Sequence, residues 1–370
     1  MVPTRAAHPF WMYDELTATP PALDRAVNPS EIERQQRAAI GRRLAQAHTV
    51  YLTGCGTAYH AARAGQSFLR DFTDGQVDVR AAQAFELTHY ERSGPGPDDV
   101  LIVLSHSGRP TATNAALARA RAAGAYCVTI TGDRESLAAR NAQAVVDTGY
   151  GEVKSFAYTI SYSLMLAVLA DLAVHTLAAL AGERGATALL GAQVRALPQL
   201  HREALALDDR VRALATRLAA RPRWIFAGAG GNYATAIEAA LKMQETNYTA
   251  AFGMETEEVL HGPVAALGDA VLVVIAPPGA GRQRALDLLR AARILGGETV
   301  ALGEAGDAEL ESGAGEFLPL PACPEALSPA PYHVPPHLLS YWLAVARHTN
   351  PDLMRRDDPR YLDARKSYTL

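Results

Sequence analysis

The sequence predicts an α/β protein: two tandem doubly wound αβα domains, each built on a parallel sheet, followed by a C-terminal tail. Three observations carry this. Short apolar, β-rich runs alternate with longer Ala-rich stretches, which is the spacing of βαβ crossovers. Two of the runs end in glycine-rich turns, Gly54-Cys-Gly56 and Gly228-Ala-Gly230, that lead directly into helical patterns. The order and spacing of the first set recur in the second, the signature of a duplicated unit.

The first set places strands at residues 49–53, 100–105, 127–131 and 144–148, with an Ala-rich helix over 113–123. Residues 160–180 are almost wholly apolar and about the length of a membrane span. They contain Ser161, Ser163, Asp171 and His175 and sit inside the strand and helix alternation, so a helix buried between layers or at a subunit interface is expected, with no membrane partner. A polar, Arg-rich stretch over 194–218 reads as one helical segment. The pattern then restarts with a strand at 223–227, a helix over 233–244 and strands at 271–276, 299–302 and 317–320. A Pro-rich stretch, 321–336, precedes a helix over 337–348 and a polar tail of the kind that normally frays. The expected divisions are an N-terminal segment 1–30, a first domain 31–195, a second domain 196–349 and a tail 350–370.

Composition bounds the function. A chain of 370 residues has room for two ordinary cores. With 35 Lys+Arg against 39 Asp+Glu and no basic stripe, nucleic acid is excluded as an expected partner. Cys55, Cys127 and Cys323 are odd in number and dispersed, which predicts neither a disulfide framework nor a zinc site. The stretch from Met1 to Tyr13 lacks an apolar signal core, so a reducing cytoplasm is expected. No His, Asp and Glu cluster has ligand spacing, and neither metal nor cofactor is expected.

Candidate chemistry lies in loops at strand ends. Thr53-Gly-Cys-Gly-Thr57 and Leu104-Ser-His-Ser-Gly108 put small and hydroxyl residues at the carboxyl ends of strands, before helix N-termini, where backbone N–H groups and the helix dipole favour an anion. Either loop alone would be an ordinary turn; two in one half-domain favour a ligand. A dinucleotide is disfavoured, because Tyr59 and Tyr233 occupy the third glycine position of a G-x-G-x-x-G fingerprint. A Walker loop is absent, since Ser107-Gly-Arg109-Pro110 has no lysine after its glycine. In the second half, Lys242 and Glu245 lie three apart and share one helix face, a spacing that alone would suit a surface ion pair. His261 precedes Gly262-Pro263, a rigid turn that presents its imidazole on a loop.

Together, Cys55-Gly-Thr57, Ser105-x-Ser-Gly108, Val153-x-Ser155, Ala240-Leu-Lys-x-x-Glu245, His261-Gly-Pro263 and the terminal Lys366-Ser367-x-Thr369 resemble the sugar isomerase (SIS) family, across roughly residues 10 to 370. Within it, the chain is similar to the double-SIS isomerase half of glucosamine-6-phosphate synthases and to stand-alone amino-sugar-phosphate deaminases and deglycases. The resemblance implies two flavodoxin-like SIS domains. It assigns substrate binding to Cys55, Gly56, Thr57, Ser105, His106, Ser107, Arg109, Thr111, Val153 and Ser155. It also implies that Lys366 forms a Schiff base with an open-chain keto sugar, that Glu245 moves a proton between C1 and C2, that His261 assists ring opening and that Lys242 steadies an oxyanion or relays a proton. A homodimer is implied, with the His261 loop at the subunit interface.

Three departures and two short strings refine this. Val2 stands where a glutaminase would carry its N-terminal cysteine and the length leaves no such domain, so glutamine-derived ammonia is not expected. Ala58 takes a position often held by serine, and Pro110 replaces a threonine, with Thr111 one residue late and Arg109 a stronger donor. That leaves a modified or unphosphorylated amino sugar open. Glu257-Glu-Val-Leu-His261 and Asp358-Pro-Arg-Tyr-Leu362 are similar to the deaminases and deglycases. The leading expectation is an isomerising deaminase acting on an amino-sugar phosphate. Its alternatives are a fructosamine-phosphate deglycase, a glutamine-independent sugar isomerase or aminotransferase on a modified sugar, and a sugar-phosphate-sensing SIS module without catalysis.

Overall fold

The computed structural model describes residues 4–368, so Thr369 of the terminal motif lies outside the described residues. Strands β1 (Val50–Gly54), β2 (Val79–Gln83), β3 (Val100–Leu104), β4 (Tyr126–Thr131) and β5 (Ala144–Asp147) form one parallel sheet in the order β2-β1-β3-β4-β5. Strands β6 (Arg223–Gly228), β7 (Ala250–Glu255), β8 (Val271–Ile275), β9 (Glu298–Glu304) and β10 (Glu316–Leu320) form a second, β7-β6-β8-β9-β10. Counted from its own first strand, each sheet has the same order, as the duplicated pattern predicts.

The central strands read as unbroken apolar runs because both faces are covered. Val100–Leu104 is VLIVL and Val271–Ile275 is VLVVI, and every residue of both is buried. The edge strands β2 and β7 escaped the sequence pattern for the converse reason: VRAAQ and AAFGME are short and mixed, and largely not buried. At Gly253 in β7, a Cβ would lie 2.3 Å from the Ile237 Cα, so a side chain there would block the approach of the Asn232–Thr246 helix.

The segment expected as one helix over 194–218 is corrected to three pieces, Ala186–Arg195, Leu197–Leu205 and Asp208–Leu218. Pro198 has no N–H and is accommodated only in the first turn of a new helix. Asp208 and Asp209 then start the third piece, where carboxylates favour the N-terminal dipole. The tail, expected to be frayed, contains a short helix, Pro359–Arg365, capped by the Asp358 side chain.

The apolar stretch is the 23-residue helix Thr159–Ala181, which among the described residues is long and apolar enough to cross a membrane. Here Ile160, Tyr162, Leu164 and Leu166 are fully buried. Gly41 and Gly65 leave the space that His175 and Leu169 fill, because a Cβ would come within 2.6 Å of the His175 backbone at one and 2.8 Å of Leu169 at the other. Its Asp171 is matched by buried Arg37 at 2.8 Å, which also donates to the Ala26 carbonyl at 2.7 Å.

The chain divides into two compact units. One comprises Met1–Ala18, Lys154–Thr159 and Gln199–Arg356, and carries β6–β10; the other comprises Thr19–Val153, Ile160–Pro198 and Asp357–Leu370, and carries β1–β5. The first of these is filled by large apolar side chains, among them Trp224, Phe226, Met243, Tyr332 and Tyr341.

Candidate functional site

In the unit carrying β1–β5, strand order reverses between β1 and β3, the topological switch point where doubly wound sheets take their ligands. Both predicted loops emerge there. After β1, Cys55 and Gly56 lead into the Thr57–Phe72 helix; Gly56 is its N-cap at φ +53° and supplies no side chain to cap it. After β3, residues 105–110 lead into the Thr111–Ala122 helix, whose N-cap Pro110 also offers no side-chain bond. Both helix starts thus lie at the carboxyl ends of neighbouring strands and begin without a side-chain bond from the N-cap residue.

The second loop is tightly built. Buried Ser105 accepts the Gly108 N–H through Oγ at 3.1 Å. Gly108 sits at φ +61°, and a Cβ would lie 2.1 Å from Ser136 Oγ, so only glycine fits. His106 is buried beside Gly132 and faces the Gly151 carbonyl at 3.2 Å; burial pushes its imidazole below the usual range, and it is neutral. Ser107 is half-buried, while Arg109 and Thr111 are exposed. Cys55 Sγ rests 3.6 Å from Thr113 Oγ1. Val153 is half-buried in the same unit. Ser155 falls in the other unit, where its Oγ accepts the Ala157 N–H at 3.3 Å and hydrogen-bonds Asp352.

The unit carrying β6–β10 holds the Lys242 cluster, and its geometry rules out the surface-pair reading. Lys242 is fully buried and donates to Glu245 Oε2 at 2.5 Å and to the Ala157 carbonyl at 2.5 Å. One turn back, the equally buried Glu238 places Oε1 3.3 Å from the same Nζ. Glu245 keeps 14% side-chain exposure and is the member of the group open to an incoming molecule. Burial pushes the Lys242 ammonium down, but Glu238 and Glu245 outweigh it and hold the amine protonated above the ordinary lysine range. Such a lysine is an electrostatic stabiliser or proton donor, not a nucleophile.

Glu238 and the histidines behind it are the site residues that motif reading missed. His337 Nε2 lies 3.7 Å from Glu238 Oε1, and the rings of His333 and His337 and of His201 and His333 are 4.8 and 5.2 Å apart. Burial holds His333 down to about 4 and the other two well below the usual imidazole range, so all three are neutral near pH 7. The signal for Glu238 was its i, i+4 spacing to Lys242. His333 and His337 share that spacing at the start of one helix, Val334–Ala346, whereas nothing in sequence linked them to His201, which comes from the Leu197–Leu205 helix.

His261 projects from the loop after the Thr256–Leu260 helix with a side chain 67% exposed. Its Nε2 lies 2.9 Å from Glu257 Oε1, and Arg284 grips the same carboxylate at 2.5 and 2.8 Å. Those bonds, Arg284 first, hold Glu257 down to about 2, so it stays ionised against the imidazole. Lys366 is on the tail, in the unit carrying β1–β5, 77% exposed and 2.8 Å from Asp363. Glu245 and Lys242 are thus brought together, whereas Lys366 and the substrate loops belong to a different unit from them.

Comparison with known proteins agrees with this double architecture. The SIS domain matches twice, at residues 43–175 and 217–347. The chain is 33% identical over 352 residues to the isomerizing glutamine–fructose-6-phosphate aminotransferase of Pyrococcus horikoshii, covering 95% of this chain and 57% of that protein. It therefore spans little more than half the length of that relative. Among solved structures, the C-terminal domain of glucosamine-fructose-6-phosphate aminotransferase from Francisella tularensis has the same fold, with a TM-score of 0.86 at 20% identity over 93% of this chain and 98% of that one. Glucosamine-6-phosphate deaminase from Thermotoga maritima also shares it, with a TM-score of 0.74 at 18% identity, covering 94% and 98%. With two matched copies, 33% identity across nearly its whole length and two parallel sheets of one strand order, the chain belongs to the SIS domain family.

Proposed function

We propose that the chain is a cytoplasmic sugar-phosphate isomerase of the deaminating type, converting a glucosamine 6-phosphate-like amino sugar to the ketose phosphate and ammonia. The observation that carries the reading is the fully buried Lys242 held against Glu245 at 2.5 Å. A stable fold has no need of a buried ion pair, whose desolvation offsets its attraction. Proton transfer does need a positioned carboxylate beside a fixed cation.

The reaction runs as follows. The His261 imidazole helps open the ring, giving an aldehyde at C1 with the amine on C2. The Glu245 carboxylate removes the C2 proton while the Lys242 ammonium stabilises the charge developing on O1 and passes it a proton, which it recovers from the nitrogen when the imine forms; the product of this step is an enolamine. Protonation at C1 by Glu245 gives the C2 imine. The Lys366 amine displaces ammonia from C2, and water then releases the ketose and regenerates the lysine. The loops around Cys55–Thr57 and Ser105–Thr111 hold the phosphate. Support for them is their place at the carboxyl ends of the neighbouring strands β1 and β3, where the strand order reverses. A sensing module would not require the Lys242–Glu245 pair.

A deglycase reading shares these steps but releases an amino acid. Incubation with glucosamine 6-phosphate, and separately with a fructosamine phosphate, tests the proposal: ammonia and fructose 6-phosphate are expected from the first. Amino acid from the second with no ammonia from the first would replace the deaminase by the deglycase, and no turnover of either would refute both.

A further inference from the structure

Lys242 has a third ligand that neither carboxylate supplies, the Ala157 carbonyl at 2.5 Å. The turn presenting it is unusual. Tyr158, immediately after Ala157, sits at φ +53°, a conformation costly for a residue with a large side chain and kept only when surroundings enforce it. The residues just before Ala157, 154–156, are held by two buried carboxylates. Glu15 Oε1 accepts the consecutive N–H groups of Lys154 at 2.6 Å and Ser155 at 3.1 Å. Asp352 accepts the N–H groups of Trp11 and Met12 at 2.9 and 2.8 Å and bonds the Ser155 hydroxyl, while its carbonyl accepts the Phe156 N–H at 3.1 Å. All of these residues belong to the unit that carries Lys242.

Glu15 is the costly member. It is 2% exposed, and burial, opposed by the two N–H bonds, pushes its carboxyl up to about 7. The other charged groups around it are Lys154 and Asp352, with Arg5 acting on Asp352 and Arg356 stacked on Phe156 at 3.3 Å. An acid whose folded pKa is raised stabilises the fold least when ionised: its contribution is lost as pH rises through about 7. Glutamine at this position would cost the fold less near pH 8. The ionised form is nonetheless the stronger acceptor for two adjacent N–H groups.

Resting on the proposed isomerisation, we propose that Glu15 is a positioning residue for that reaction: its carboxylate locks the turn at 154–158 so that the Ala157 carbonyl fixes the Lys242 ammonium against Glu245. The ammonium has three N–H donors, and Ala157, Glu238 and Glu245 each offer it an acceptor. Loosening the turn frees one donor and lets the cation rotate away from the developing O1 charge, a displacement of the kind that costs rate without costing affinity.

The test is Glu15→Gln in the full chain, with two readouts. Hydrogen exchange at pH 8 is expected to be faster by about tenfold at the amides of 154–158, with a thermal midpoint no lower than wild type. For glucosamine 6-phosphate, kcat is expected to fall by about tenfold or more with KM within about twofold, and the acid limb of the kcat profile near pH 7 should flatten. Unchanged exchange in 154–158, or unchanged kcat in a variant whose wild type is active, overturns the proposal. A lower midpoint with normal kcat would make Glu15 merely structural and overturns it too. Should wild type turn over no amino sugar, the functional reading fails on its own account, and the exchange result still decides whether Glu15 holds the turn.

Discussion

Single residues divide into those that hold charge and those that refuse it. Lys242 stays protonated because Glu238 and Glu245 flank it, while His201, His333 and His337 a few ångströms on stay neutral because burial finds no sufficient counter-charge. This has a consequence for acid stability. A histidine with a depressed folded pKa supports the fold above its unfolded value of about 6.5 and loses that support as pH falls towards the folded value, at about 1.4 kcal/mol per pH unit. Glu15, with a raised pKa, acts with the opposite sign over roughly the same window. The three histidines, with His106 and His175 shifted the same way by burial, outnumber the two carboxyls raised by burial, Glu15 and Asp352, and decide the direction. The urea midpoint should therefore fall as pH drops from about 6.5 to 4.5; a flat midpoint would show that the cluster is hydrated or already charged.

Elements explain what was legible in sequence and what was not. Central strands such as Val100–Leu104 announce themselves because burial on both faces demands an unbroken apolar run. Their neighbours β2 and β7, lying at sheet edges, face no such demand and carry mixed residues. Loop chemistry was readable for Ser105, whose hydroxyl and following glycine form one turn. It was not readable for Glu15, whose partners Lys154 and Ser155 are 139 and 140 residues away in the chain. Gly108 makes the loop's geometry testable. Gly108→Ala must place a Cβ at φ +61° against Ser136, a strain of about 1–3 kcal/mol. Calorimetry should show that destabilisation, and titration with inorganic phosphate should show weaker binding. A variant with wild-type stability and phosphate affinity would remove this loop from the anion site.

At the scale of the whole molecule, duplication has produced two sheets of one order with unlike endings. Hydroxyl-rich loops follow β1 and β3, whereas Gly228-Ala-Gly-Gly231 follows β6 with no hydroxyl at all. Anion binding is accordingly proposed for the first repeat and proton transfer for the helix that follows β6. The repeat was legible from periodicity; the burial of Lys242 was not, since a Lys-x-x-Glu spacing is equally at home on a surface. The exposed His261 belongs to this scale as well, because a homodimer is proposed in which its loop meets the partner subunit. Sedimentation at micromolar concentration should find a dimer, with His261→Ala slowing turnover and leaving assembly intact; a fully active monomer would contradict the arrangement.

The central claim is that Glu245 carries the proton between C1 and C2. Its most direct test is ammonia release from glucosamine 6-phosphate by Glu245→Gln beside wild type, with thermal melting of both. The account predicts a folded variant whose release falls by about 100-fold or more, since the amide preserves shape and cannot accept the proton. A Glu245→Gln protein that melts like wild type and releases ammonia at the wild-type rate would contradict it.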